Sequence, residues 1–286
     1  MDQRIIDLYD EYMHVHFDRR LFLERAARIV GSTAAAALLP LLKSNYALAA
    51  IVAENDPRIS TQRVTFPGAS GPGKAYLAEP KSAGKRGSIV VIHQNRGLNP
   101  HIEDIARRMA TEGYNALAVD FLSPQGGTPN DDDKAMAMFK DVNMDLAGKD
   151  ANAASTWLRA RPESNGKIGA VGFCWGGGIV NAMAVSDPTL NAGSAYYGVP
   201  PTLSDVPKIK AEMLINYADP KLDTRLGQMA PGYEDALKKA GIKHQFYYYE
   251  GANHAFNDDT QAPRYNADAA KTAWARTLDL FKRNLS

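Results

Sequence analysis

The sequence predicts an α/β fold with a mostly parallel central sheet and helices on both faces. Strand-like and helix-like runs alternate after about residue 60, as in folds built from parallel strands with helical crossovers. The run Ser88–His93 (SIVVIH) is almost continuously apolar, which is typical of a strand buried on both faces. Of the 286 residues, 45% are hydrophobic and 23% are charged, which is the composition of a globular chain.

Two strands near Gln62–Phe66 and Ala75–Ala78 are expected to form an antiparallel edge of the sheet. Apolar residues at Ile102, Ile105 and Met109 have helical spacing. The expected parallel strands are Ser88–His93, Ala116–Phe121, Lys167–Phe173, Ala192–Tyr197, Ala211–Tyr217 and Gln245–Tyr249. The expected helices are Ile102–Met109, Asp145–Arg161, Gly176–Val185, Gly232–Ala240 and Asp268–Lys282.

Residues 1–49 are predicted to be an export leader, and residues 50–286 a single domain. Arg19–Arg20 followed by Leu21, Phe22 and Leu23 resembles a twin-arginine signal. Residues 29–42 carry no charge, and they are too few to span a membrane, which takes about 20 residues. The triplet Ala47–Ala49 (ALA) fits an A-x-A cleavage site. We therefore expect export by the twin-arginine machinery, cleavage near Ala49 and a periplasmic or secreted protein.

Two positions depart from the usual twin-arginine pattern, since Asp18 stands for Ser or Thr and Glu24 for Lys. The alternative is an amphipathic helix with an Ala-rich tail that packs on the domain. The protein would then be cytoplasmic.

The string GFCWGG, Gly172–Gly177, carries the chemistry. It follows an expected strand and precedes an expected helix, so it has the form of a nucleophile elbow with Cys174 in place of serine. Side chains at Gly172 and Gly176 would collide across that sharp turn, and the helix N-terminus favours a thiolate. The alternatives are glycines for close packing around a small buried cysteine, or a phosphate loop. No GK[ST] or G-x-G-x-x-G pattern supports the phosphate loop.

An acid and a histidine follow the cysteine in the chain order that this architecture requires. Asp219 comes just after the strand Ala211–Tyr217, and His254 lies in the loop GANHAF after the last strand. We expect His254 to take the thiol proton and Asp219 to orient its ring, with Asp223 as the second choice of acid. The backbone N–H groups of Trp175 and Asn95 are the expected oxyanion hole.

Other classes of site and partner are disfavoured. The 33 basic and 32 acidic residues nearly balance, which argues against nucleic acid as a main partner. A single cysteine allows neither an intramolecular disulfide nor a CxxC zinc site. Asp131–Asp133 are interpreted as capping residues of a helix. We predict no metal and no cofactor.

Together, GFCWGG, the Asp219 loop, GANHAF and the stretch HQNRGLNPHIEDIARR resemble the dienelactone hydrolase family over about residues 60–285. The resemblance implies an α/β-hydrolase fold and a carboxylic ester hydrolase of the carboxymethylenebutenolidase type. It also implies a Cys-His-Asp triad that opens an enol-lactone or related small-molecule ester through an acyl-cysteine.

Gln94 departs from that family, in which a Glu after this strand contacts the cysteine and helps to activate it. An amide cannot accept the proton, so we expect His254 alone to activate the thiol. Arg96 and Tyr197 are the candidate substrate-binding residues. Two other functions remain open: a broad carboxylesterase or thioesterase, and a non-catalytic binding protein that lost the activating Glu.

Overall fold

The computed structural model describes residues 1–15, 17–46 and 50–286. An eight-stranded sheet forms its centre, with the strand order β1-β2-β4-β3-β5-β6-β7-β8. The strands are β1 (Ile59–Gly68), β2 (Gly71–Pro80), β3 (Arg86–Ile92), β4 (Asn115–Asp120), β5 (Ser164–Phe173), β6 (Ala192–Tyr196), β7 (Glu212–Ala218) and β8 (His244–Tyr249).

The sheet is antiparallel at one edge and parallel elsewhere. β1 pairs with β2 and β2 with β4 in antiparallel register, whereas β3 to β8 pair in parallel. β3, β4 and β7 are buried throughout or nearly so, because helices cover both faces of a parallel sheet. The predicted fold class and antiparallel edge are confirmed.

Nine α-helices lie in the described part of the chain. They are α1 (Gln3–Val15), α2 (Arg19–Val30), α3 (Ser32–Leu42), α4 (Pro100–Thr111), α5 (Asp132–Phe139), α6 (Met144–Arg159), α7 (Trp175–Ser186), α8 (Thr224–Lys239) and α9 (Ala267–Leu285). Two glycines of β5 show that helices lie on opposite faces, because positions 169 and 172 point to different sides of a strand. A Cβ at Gly169 would meet Phe281 of α9, and one at Gly172 would meet Gly176 of α7.

Two helices differ from the sequence prediction. α8 begins at Thr224, eight residues before the expected start, and contains Pro231. Proline lacks an N–H group and usually interrupts a helix, so Pro231 favoured a predicted helix that starts after it. α5 is the helix that the aspartate run was expected to cap, although the sequence analysis gave it no bounds. Asp131 caps it by accepting a hydrogen bond from the Lys134 N–H group. This confirms the capping interpretation of the aspartate run.

The described residues up to Tyr46 form three helices that pack on the rest of the chain. Ile5, Tyr9, Phe22 and Leu42 are buried in one apolar cluster with Met136 of α5. This arrangement is the one expected from the alternative to an export leader, in which an amphipathic segment packs on the domain. The expected cleavage site at Ala47–Ala49 lies outside the described residues. Within the described chain, no helix combines the length and the hydropathy that a membrane crossing needs.

Candidate active site

The turn from β5 into α7 holds Cys174 in a strained conformation, with φ 54° and ψ −115°. Positive φ is costly for a residue with a side chain, and such residues are found mainly at functional sites. The chain passes too close to itself for side chains on either side of the cysteine. A Cβ at Gly172 would lie 2.2 Å from the Gly176 carbonyl oxygen, and one at Gly176 would lie 2.5 Å from the His93 carbonyl oxygen. The predicted strand–turn–helix geometry of the elbow is confirmed, and the role of Cys174 as nucleophile stays a prediction.

His254 is buried beside this turn and is oriented by a carboxylate. Its Nδ1 lies 2.7 Å from Oδ2 of Asp223, and both side chains are almost fully buried. Because a carboxylate accepts, Nδ1 carries a proton, and Nε2 is the nitrogen that can gain or lose one. Nε2 of His254 has no hydrogen-bond partner among the described residues. A histidine oriented by a buried carboxylate in this way has the geometry that general acid–base catalysis requires.

The prediction that Asp219 orients the histidine is wrong in this structure. The Asp219 carboxylate instead accepts the backbone N–H groups of Gly251 and Lys221, which lower its pKa. After β7 the chain makes one turn, in which the Asp223 N–H group donates to the Asp219 carbonyl oxygen. That turn brings Asp223, the second choice, to His254. The missed signal was a helix cap, since Asp223 also accepts the Leu226 N–H group at the start of α8.

A second histidine, which the sequence analysis did not consider for the site, reaches the thiol from α1. His14 Nε2 lies 3.3 Å from Cys174 Sγ. Its Nδ1 donates to the Asp10 carbonyl oxygen at 2.7 Å, and an Asp10 carboxylate oxygen lies 3.4 Å away. The His14 and His254 rings meet edge to face at 4.6 Å between centroids. The sequence analysis expected His254 alone to activate the thiol, whereas the structure places two imidazoles beside it.

The electrostatics of this cluster favour a thiolate. Burial opposes charge on Cys174, but the positive charges of His14 and His254 and the hydrogen bond from His14 lower its pKa well below the usual range. Burial also disfavours the charged histidines, yet the thiolate and Asp10 raise the pKa of His14 to about 10. Asp10, Asp223 and the thiolate raise the pKa of His254 to about 9. The thiolate and the imidazolium rings therefore stabilise each other's charge.

Gln94 has no hydrogen bond to Cys174 in the described structure, although the resemblance places it beside the nucleophile. Its side-chain Nε2 is buried without a partner. The preceding residue, His93, shapes the loop: its Nδ1 donates to the Gln94 carbonyl oxygen and its Nε2 accepts the Phe121 N–H group. Burial lowers the pKa of His93 to about 4, so this ring is neutral and serves as a support.

The predicted oxyanion residues and one predicted substrate residue line a cavity of about 160 Å³ at the nucleophile. Trp175 begins α7, and the Asn95 side chain donates to the Met13 carbonyl oxygen of α1. Tyr197, at φ 36°, packs its ring 4.9 Å from that of His254. The cavity is lined by Met13, His14, Asn95, Phe139, Met144, Cys174, Trp175, Tyr197, Val199 and Arg225.

Arg96 does not belong to that lining, so the structure does not support it as a substrate-binding residue. It is buried beneath the N-terminal helices, where it donates to the Tyr9 hydroxyl and the Ser44 hydroxyl at 2.6 Å each. Asp132 lies 3.6 Å from its Nε. Because these partners occupy the guanidinium, Arg96 holds the N-terminal segment to the domain. Arg225 of α8, which the sequence analysis missed, is the arginine that reaches the cavity.

The side chains around the Cys174 thiol include ligand atoms of the kind that bind soft metals. One ligand atom each from His14, Cys174 and His254 lies within 4.8 Å of the others, and imidazole with thiolate suits zinc. Two further sets meet that distance, namely Asp10 with Asp223 and His254, and His101 with Asp258 and Asp259. The absence of a metal and of a cofactor remains a prediction.

The close contact at the elbow predicts that Gly176→Ala destabilises the protein and impairs the site. A Cβ there meets carbonyl oxygens of two residues, and crowding of this kind costs about 1–3 kcal/mol. Chemical denaturation should show that loss, with slower alkylation of Cys174.

The matched control is Gly148→Ala in α6, where the nearest atom to an added Cβ is 4.0 Å away. Alanine in a helix gains about 0.5–1 kcal/mol over glycine, so this variant should be as stable as the parent or more so. Equal stability of the two variants would contradict the close contact at the elbow.

Comparisons with known proteins agree with this geometry. Residues 74–285 match the dienelactone hydrolase family, and residues 1–30 match a YqhI-like family. A proposed carboxymethylenebutenolidase of Synechocystis is 31% identical over 257 residues, 79% of this chain and 98% of that protein. A proposed hydrolase fragment, YghX of Escherichia coli, is 50% identical over 112 residues, 38% of this chain and 96% of that protein.

A crystal structure of a proposed dienelactone hydrolase from Klebsiella pneumoniae superposes with a TM-score of 0.69 at 27% identity. It covers 78% of this chain and 98% of that one. The family match spans the sheet from β2 onward, the elbow and the His254 loop. The chain therefore belongs to the dienelactone hydrolase family, and it is a hydrolase of that type with the α/β-hydrolase fold.

Proposed function

We propose that the protein cleaves a small ester or enol-lactone through an acyl-cysteine intermediate, with Cys174 as nucleophile, His254 as acid–base and Asp223 as the residue that orients His254. The observation that carries the proposal is the His254–Asp223 bond of 2.7 Å behind a thiol held on a strained elbow. A binding protein has no need of either feature. Membership of the dienelactone hydrolase family supports hydrolysis as the reaction class. The proposed triad accounts for how the bond would be cleaved.

The reaction divides into two acyl transfers. The Cys174 thiolate attacks the carbonyl carbon, and the Trp175 and Asn95 N–H groups stabilise the oxyanion. With its pKa raised to about 9, His254 starts this step as an imidazolium. The C–O bond breaks as the leaving oxygen takes the proton from His254 Nε2. A water molecule then gives His254 a proton and attacks the thioester, which releases the carboxylic acid and restores the thiolate. Asp223 keeps the imidazole in the tautomer that both steps need.

The small cavity favours compact substrates. Its volume of about 160 Å³ is below the range of about 300–1,000 Å³ for sites that bind drug-sized ligands. A broad carboxylesterase or thioesterase remains the second candidate, because the elbow selects acyl transfer and leaves the acyl group open. Aromatic walls from Phe139 and Trp175 suit a flat conjugated ring such as an enol-lactone.

The triad predicts that Cys174→Ala abolishes hydrolysis in an ester and lactone panel, by at least about 10³-fold, because removing a nucleophile of this kind leaves only binding and oxyanion contacts. Asp223→Asn should lower kcat by up to about 10⁴-fold, since the amide no longer fixes the basic tautomer of His254.

Asp219→Asn is the matched control, four residues earlier on the same loop. Its carboxylate accepts backbone N–H groups and does not contact His254, so kcat should stay within about threefold of the parent, a change of under ~1 kcal/mol in the barrier. A large loss in Asp219→Asn with little loss in Asp223→Asn would restore the original assignment of the acid.

We propose that Arg225 binds a carboxylate on the substrate. It is an exposed cation at the rim of the cavity, and Arg pairs with carboxylates in bidentate geometry. Arg225→Gln should raise KM for an anionic lactone three- to tenfold, roughly 1 kcal/mol for an exposed pair. An uncharged ester assayed on the same variant is the internal control. Equal effects on both substrates would rule out charge recognition.

We also propose, from residues 19–23 and Ala47–Ala49, that the chain is exported through the twin-arginine route. Arg20 is strongly exposed on α2, so an export receptor could reach it. Replacing Arg19 and Arg20 together by lysine should trap the precursor in the cytoplasm, as judged by fractionation and mass spectrometry. Normal export of the double variant, or a mature chain that retains residues 1–49, would remove the proposal.

A further inference from the structure

We propose that His14 of the N-terminal helix is a second catalytic base of this site, which takes the proton of the Cys174 thiol and holds the thiolate for attack. This inference rests on the proposed cysteine mechanism and adds a residue to it. The proton moves from Sγ to His14 Nε2, so thiol and imidazole become thiolate and imidazolium. No other atom or co-reactant is needed. His254, which carries its own proton on Nε2 as an imidazolium, gives that proton to the leaving oxygen and takes one from the incoming water.

The hydrogen bonds of His14 fix the tautomer that this role requires. A backbone carbonyl only accepts, so the 2.7 Å contact with the Asp10 carbonyl oxygen places a proton on Nδ1. In the neutral ring, Nε2 then has a lone pair, and it lies 3.3 Å from Sγ. His254 repeats the arrangement, with Asp223 on Nδ1. Cys174 therefore lies between two imidazoles, each with a carboxylate behind it.

The Asp10 carboxylate stabilises charge on both rings. It lies 3.4 Å from His14 Nδ1, and one of its oxygens lies within 4.8 Å of ligand atoms of His254 and Asp223. Arg264, almost fully buried, holds the other side of Asp10 at 3.2 Å. An imidazolium at position 14 is thus compensated by the thiolate and by Asp10, as a buried charge must be.

Helix α1 is fixed to the same loops that carry the rest of the site. Asn95, the expected oxyanion residue, donates to the Met13 carbonyl oxygen at 2.8 Å. Gln3 donates at 2.6 Å to Asn253, the neighbour of His254 in the chain. Arg96 donates to the Tyr9 hydroxyl. A helix held at both the oxyanion loop and the histidine loop delivers His14 in a defined position, which a catalytic group requires.

Position 94 explains why a second base is useful here. The resemblance assigns activation of the cysteine to a Glu that this chain replaces with Gln94, and Gln94 has no hydrogen bond to Sγ in the described structure. His14 supplies a proton acceptor at the sulfur from another part of the chain. The working enzyme must then retain its first helix. This inference and cleavage after Ala49 therefore exclude each other, and the N-terminus of the active mature chain decides between them.

The test compares full-length parent, His14→Gln and Glu11→Gln for alkylation of Cys174 by iodoacetamide between pH 5 and 10. Glutamine can still donate a hydrogen bond to sulfur but cannot carry the proton. The thiol pKa should rise by at least about one unit in His14→Gln, so the midpoint of the alkylation profile should move up by that amount. The rate at a pH below both midpoints should fall at least about tenfold, while the plateau at high pH remains. Glu11 faces Arg25 on the outer side of α1, so Glu11→Gln should match the parent.

The other charged or titratable groups around the thiol are unchanged in both variants. They are Asp10, Asp223, His254, Arg264, Tyr197 and Arg225. In His14→Gln, Asp223 and Asp10 still stabilise the positive charge of His254. Any lowering of the thiol pKa that remains in this variant, relative to an ordinary cysteine, therefore comes from the charge of His254.

Hydrolysis gives the second measurement. His14→Gln should lower kcat/KM for the best ester of the panel about 10- to 100-fold, part of the 10²–10⁴ that acid–base groups contribute. Free imidazole should restore part of the activity of His14→Ala, which a purely structural role would not allow. This rescue keeps the test informative if His14→Gln loses stability.

Three results would overturn the inference: superimposable alkylation curves for parent and His14→Gln, faster hydrolysis by His14→Gln, or an active mature chain that starts after Ala49. Faster hydrolysis by His14→Gln would indicate that α1 inhibits the enzyme by blocking the thiol. The failure of the triad itself looks different, because Cys174→Ala would then keep its hydrolytic activity whatever His14 does.

Discussion

The close approach of β5 to α7 around Cys174 is the constraint on which the site depends. The chain reverses there within one residue of positive φ, and glycines on either side leave no room for a side chain. This geometry places the sulfur at the N-terminal end of α7, where the helix dipole favours negative charge. It also fixes the thiol at the carboxyl edge of the sheet, where the loops after β3, β6, β7 and β8 converge.

Around that sulfur the protein buries several charges that are stable only together. The thiolate, two histidines and the carboxylates of Asp10 and Asp223 lie in one cluster. Burial penalises every one of these charges, and the neighbouring opposite charges offset the penalty. Removing a single member would leave another uncompensated, so the titrations of these groups belong to the cluster and not to single residues.

The N-terminal helices give this member of the family a feature that the hydrolase domain alone lacks. They place a buried cluster of aromatic side chains and Arg96 beneath α1, and α1 in turn provides one wall of the catalytic cavity. Residues 1–30, which include α1, match a family model separate from the one that covers residues 74–285. The position of α1 therefore affects the access of substrate to Cys174.

The sequence by itself determined the sheet, the elbow and His254. Strand periodicity, glycine spacing and chain order are local properties, and local sterics allow few alternatives for a string such as GFCWGG. It could not decide between Asp219 and Asp223, because the answer depends on one backbone turn after β7. Nor could it predict that His14 reaches Cys174, 160 residues away. An amphipathic pattern shows that a helix has an apolar face, but only tertiary packing decides which surface that face covers.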